Sequence, residues 1–82
     1  MKGQKLSIAV DVADPGPVKV KAFNLAGELV FVIADQSFGN GRTIITWDGR
    51  NANGDPVAAG VYFILIEAPG GLQKRFLVGI LK

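Results

Sequence analysis

Apolar residues fall at every second position through much of this 82-residue chain. Within residues 5–12, Leu6, Ile8, Val10 and Val12 alternate with Ser7, Ala9 and Asp11. A period of two marks a strand with one buried face. The pattern returns in VKVKAFN (18–24), where Lys19 and Lys21 take the wet positions. ELVFVIA (28–34), the β-branched RTIITW (42–47), GVYFILIEA (60–68) and residues 72–81 complete six predicted strands. No segment has the helical period, and there is no internal repeat.

Turn chemistry separates the strands. DPGP (14–17) breaks the chain because its prolines fix φ and remove backbone donors. NLAGE (24–28) predicts a tight hairpin turn in which Gly27 takes a positive φ. DQSFGNG (35–41) predicts a loop. In PGG (69–71), Pro69 and Gly70 suit the second and third positions of a type II turn. Six or seven short strands at this spacing make an all-β antiparallel sandwich, one domain over 1–82 with about 5–82 structured.

Two strands depart from simple alternation. Leu29, Phe31 and Ile33 oppose Val30 and Val32, while Val61, Phe63 and Leu65 oppose Tyr62, Ile64 and Ile66. Either something outside this chain covers one sheet face, or the second faces lie under loops and lysine stems. Composition sharpens the question. The hydrophobic set is 49% of the chain, and counting the 11 glycines lifts it further, above the usual ~45–50%. Disorder is excluded.

There is no Cys and no His, which removes disulfides, His- or Cys-based zinc sites and His-dependent triads. A net charge of +2 falls short of a nucleic-acid footprint. The apolar runs LVFVIA and VYFILI are too short to cross a membrane, and Ser7 and Asp11 interrupt any signal-peptide core at the start.

The one segment with candidate chemistry is WDGRNANGDPVAAGVY (47–62), between the only Trp and the only Tyr. Asp48 and Asp55 are its only carboxylates, with no partner base, so a catalytic pair is not formed. Aligned on Gly54, NANGD partly fits a calcium loop, but Gly49 holds the first ligand position and no glutamate follows. A looser oxygen site from Asp48, Asn51, Asn53 and Asp55 stays open. No helix follows these glycines, so a phosphate cradle is not indicated. Phe31, Phe38, Trp47 and Tyr62 could offer sugar platforms, though aromatic strand residues more often build core. Lys5, Lys19, Lys21, Lys74 and Arg75 could line a basic face, or simply keep strand edges from aggregating.

A structural reading accounts for more residues. Asp48-Gly49 and Asn53-Gly54 are turn formers, and Asn51 can bond its own backbone. Trp47 can plug the open end of the sandwich with its indole N–H on a loop carbonyl. Tyr62 suits a tyrosine corner, with Gly60 beside it for close backbone approach. The loop then carries the chain from one sheet to the other. No cofactor is expected.

VKVKAFNLAGELV, TWDGRNANGDPVAAGVYF and a basic closing strand together resemble the Ig-like domain first recognised in the flagellar hook-capping protein. The specific stretches are 24–30, W-D-G-x-N at 47–51, Asn53-Gly54 and G-V-Y at 60–62, and the likeness covers roughly 6–82. The resemblance implies an Ig-like sandwich without catalytic residues, in an extracellular or cell-surface setting of bacteria. The same pattern resembles terminal modules of longer proteins, and the two-sided apolar strands add the expectation of docking to other domains or subunits, or of self-association, through an apolar sheet face. Hook-cap assembly, sugar binding and type IX secretion sorting are the alternatives. G-x-Y and the terminal Lys82 match the sorting domains, but ADPGPV (13–18) stands where they commonly carry Pro-Asn-Pro.

Overall fold

The alternating segments pair as antiparallel ladders in two sheets. A computed structural model describes residues 6–80. The strands are β1 (Leu6–Val12), β2 (Gly16–Phe23), β3 (Leu29–Phe38), β4 (Gly41–Trp47), β5 (Gly60–Ala68) and β6 (Leu72–Ile80). β1 and β4 form a two-stranded sheet, and β3-β2-β5-β6 form a four-stranded one. Lys5 and Leu81, assigned above to strands, and the terminal Lys82 lie outside the described residues.

The inward positions of the two sheets meet in one core. Ile8, Val10 and Val12 of β1, with Ile45 and Trp47 of β4, face Val18, Val20 and Ala22 of β2 and Tyr62, Ile64 and Ile66 of β5. Val57 and Ile80 close its ends. At about 1.5–3 kcal/mol for each fully buried aliphatic side chain, this cluster is the main stabilising term. Among the described residues, no buried side-chain nitrogen or oxygen lacks a partner.

β3 departs from expectation twice. Asp35–Phe38, expected as loop, are strand, because β2 begins at Gly16 and pairs Gly16↔Phe38, Pro17↔Ser37 and Val18↔Gln36. Pro17 is tolerated there because the β5 ladder begins only at Lys19, leaving that side of β2 free. Further on the β2–β3 register slips between Val20 and Lys21 and again between Ala22 and Phe23. Ile33 and Val30 are the extra residues. Each bulge re-aims the strand, so Val30, Phe31, Ile33 and Ala34 all pack partly against the core. Bulges, then, account for most of the two-sided apolar character of β3. β5 has no such slip, and its Val61, Phe63 and Leu65 form a true second face.

Two contacts join segments distant in the chain. Arg42 donates from Nε to Asp11 Oδ1 at 2.9 Å and from Nη2 to Oδ2 at 3.3 Å, and these residues are directly opposite in the β1–β4 register. Arg42 therefore holds the Asp11 carboxyl below its usual range, first by hydrogen bonding and then by charge, with Lys74 adding a little. Gly16 sits against the β5–β6 turn, where a Cβ would lie 2.8 Å from Pro69 Cγ.

Gly16→Ala should accordingly lower stability by about 1–3 kcal/mol, as overpacking does, read as a reduced urea midpoint. Asp11, with its folded-state pKa depressed, adds stability above the ordinary carboxylate range that is lost as pH falls through the lowered value. Arg42→Ala should move the Asp11 titration, followed by NMR at its carboxyl carbon, to higher pH. An unmoved midpoint would remove the pair from the account.

Candidate functional site

The segment 47–62 spans the gap between the two sheets, and its ends meet. Trp47 closes β4 and Tyr62 lies near the start of β5, with ring centroids 6.1 Å apart in an edge-on arrangement at 80°. Trp47 is 1% exposed. Its indole N–H donates to Arg50 O at 3.0 Å, and the Tyr62 hydroxyl donates to Ala58 O at 2.6 Å. Each ring thus buries its apolar body between the sheets and ties its polar tip to the loop.

Between them the backbone folds on itself. Asn51 N–H donates to Asp55 O, Gly54 N–H to Asn51 O, and Val57 N–H to Gly49 O. Asn51 Oδ1 accepts from Asn53 N–H at 3.0 Å and Asp55 N–H at 3.1 Å. Asp48 Oδ1 accepts from Arg50 N–H, and Asp48 Oδ2 lies 3.6 Å from the Arg50 guanidinium. The side-chain oxygens of Asp48 and Asn51 that a calcium site would draw on thus already have partners within the loop. Among the described residues no group of three or more His, Cys, Asp or Glu is placed to hold a metal ion. An added Cβ at Gly60 would touch nothing within 4 Å, so the close approach expected there is found at Gly16 instead.

The loop turn has a twin in the β2–β3 hairpin. Asn24 N–H donates to Glu28 O and Gly27 N–H to Asn24 O, and Asn24 Oδ1 accepts from Glu28 N–H at 2.9 Å. Gly27 and Gly54 both have φ +84°. N-L-A-G-E and N-A-N-G-D are one motif, Asn-x-x-Gly-acid, in which the Asn side chain caps the turn and Gly takes the left-handed position. That match was present in the letters and is closer than the calcium comparison. The two turns flank an open hollow lined by Asn24, Leu29, Asn51, Asn53 and Tyr62.

The remaining candidate surface is the outer face of the four-stranded sheet, where the registers set residues in rows. Asp35, Lys19, Glu67 and Gln73 form one row, and Val32, Lys21, Leu65 and Arg75 the next. Leu29, Phe23, Phe63 and Leu77 form the third, with Val61 and Gly79 beyond. One end of the face is therefore polar, with Lys21 Nζ 3.4 Å from Glu67, and the other apolar. Leu77 is 60% and Leu29 54% exposed. The lysines do not line a single basic face: Lys19, Lys21 and Arg75 alternate with carboxylates here, and Lys74 points to the other side of β6. Trp47 and Tyr62 are buried and Phe31 and Phe38 are half-buried against the core, so none of them offers an open stacking platform.

A family model described as the FlgD Ig-like domain matches residues 1–71. No curated protein and no solved structure gives a match to the chain. No helix among the described residues is long and apolar enough to cross a membrane.

Truncating the joint should be costly. Trp47→Ala should lose about 3–5 kcal/mol, as large-to-small core changes do, while Tyr62→Phe, which keeps the ring and deletes one hydrogen bond, should lose about 0.5–1.5 kcal/mol. Urea titrations check both, and equal losses would contradict the division of labour between ring and hydroxyl.

Proposed function

Because the chain belongs to the FlgD Ig-like domain family, we propose that it works by contact, as a terminal module of a longer exported or cell-surface bacterial protein. It is a non-catalytic Ig-like sandwich, and its outer sheet face carries the reading. At the end nearest the crossover loop, Leu29, Phe23, Phe63 and Leu77 make an apolar row across all four strands, with Val61 beside it. A solvated sheet face ordinarily alternates toward polar residues. Docking this end onto a neighbouring domain or subunit returns about 1.5–3 kcal/mol for each large side chain fully buried. The polar rows then form a wet rim around the contact. Trp47, Asp48, Gly49, Asn51, Gly54 and Tyr62 hold the crossover in shape, and Gly27 does the same for the adjoining hairpin.

Two measurements test the reading. An antibody to this segment should detect a long polypeptide in the surface fraction that still contains it. A mature surface protein without the segment would support a sorting signal instead, and a cytosolic product would overturn the proposal. A photo-crosslinking residue at Leu77 should also join the module to a neighbouring domain or subunit, whereas the same residue at Ser7, on the other sheet, should not.

A further inference from the structure

The two outer strands of the four-stranded sheet differ as edges. β3 is slipped at two bulges, which twist a strand and spoil it as a template. β6 pairs with β5 without a slip through all nine positions, from Gly60↔Ile80 to Ala68↔Leu72. It contains no proline, and Leu72–Leu77 are exposed in succession. Nothing among the described residues pairs with its second side. A long regular edge of this kind offers a row of backbone donors and acceptors to an incoming strand.

Charge selects the occupant. Lys74 and Arg75 are neighbours on β6, so they point to opposite faces. β6 has no carboxylate, and neither cation forms an ion pair among the described residues; Asp11 of β1, already held by Arg42, lies near Lys74. Leu72 (58% exposed) and Phe76 (37%) share a face with Lys74, and Leu77 shares the other with Arg75. Pairing with the β6 of a second copy would bring two more cations and no counter-charge into the same ladder, so the edge is set against itself.

We propose that the free edge of β6 receives an extended acidic segment of a partner protein as a fifth strand. Two adjacent carboxylates of that segment meet Lys74 on one face and Arg75 on the other. Running antiparallel to β6 like the other ladders of the sheet, the segment carries two apolar residues just before them, which cover Leu77 and Phe76. This surface is a strand edge read largely through backbone; it shares Leu77 with the outer-face contact proposed above but not Leu29, Phe23 or Phe63.

The test uses a fluorescein-labelled nine-residue peptide of Thr and Val with a central Val-Val-Glu-Glu, titrated with the 82-residue chain by anisotropy at low salt. Saturable binding is expected. Replacing Glu-Glu by Lys-Lys, or placing prolines at alternate positions, should each weaken it about tenfold or more, about 1.4 kcal/mol. Lys74→Glu with Arg75→Glu should weaken the acidic peptide and strengthen the Lys-Lys peptide, with an unchanged melting temperature showing that the fold is intact. Leu29→Ser, on the outer face at β3, should leave the affinity unaltered, which separates failure of this edge from failure of the docking face. Hydrogen exchange should slow along Leu72–Ile80 when the peptide is bound. No binding, equal binding of the proline peptide, or self-association through β6 in sedimentation would each overturn the proposal.

Discussion

A two-stranded sheet laid over a four-stranded one needs a fastening, and here the edge-on contact of Trp47 with Tyr62 supplies it. One ring belongs to each sheet, so the contact is made only when the sheets are correctly stacked. Both polar tips are then spent on the chain that joins them, at Arg50 O and Ala58 O. The crossover loop is thus held at both ends by core residues. Its own bonds, centred on Asn51, decide its shape without a ligand.

From that fastening the distribution of apolar surface follows. The smaller sheet covers β2 and β5, whose inward residues Val18, Val20, Ala22 and Ile64 are fully buried. The flanking strands solve their partial cover in different ways. β3 uses two bulges to turn four of its apolar residues partly toward the core. β6 stays straight and leaves Leu72, Phe76 and Leu77 in water. Both flanking strands still leave apolar residues in water, Leu29 and Val32 on β3 among them. That exposed surface, rather than any pocket, suits the molecule to contact.

Much of this was legible in the letters, for identifiable reasons. Strands with one buried face write their period into the sequence, and β1 and β4 did so nearly to the residue, while β5 was bounded by Gly60 and the turn at Pro69. Trp47 and Tyr62 stood out as single aromatic residues bracketing a loop of turn formers. The end of β3 was hidden because Asp35, Gln36 and Ser37 have turn composition and become strand only through pairing with Pro17 and Val18. Its bulges were hidden because a slipped strand and a strand buried on both sides leave the same run of apolar residues. The contact of Gly16 with Pro69 joins positions far apart in the chain and leaves no local trace. The twin Asn-x-x-Gly turns could have been found, since the spacing is identical and only the comparison of one turn with the other was needed.

The connectivity also sets an order in time. β2–β3 and β5–β6 are neighbours in the chain, joined by short glycine turns, and such hairpins close in about 1–10 μs. β1 must instead find β4 across the whole first hairpin, matching Leu6 to Trp47 and Val12 to Gly41. Contacts so distant in sequence are slow to form because the loop must close before anything rewards it. The two hairpins would form and re-form locally while the first strand is still searching. The β2–β5 ladder joins residues just as distant, from Phe23↔Phe63 to Lys19↔Glu67, so both long-range ladders, and with them the burial of Trp47, follow the hairpins.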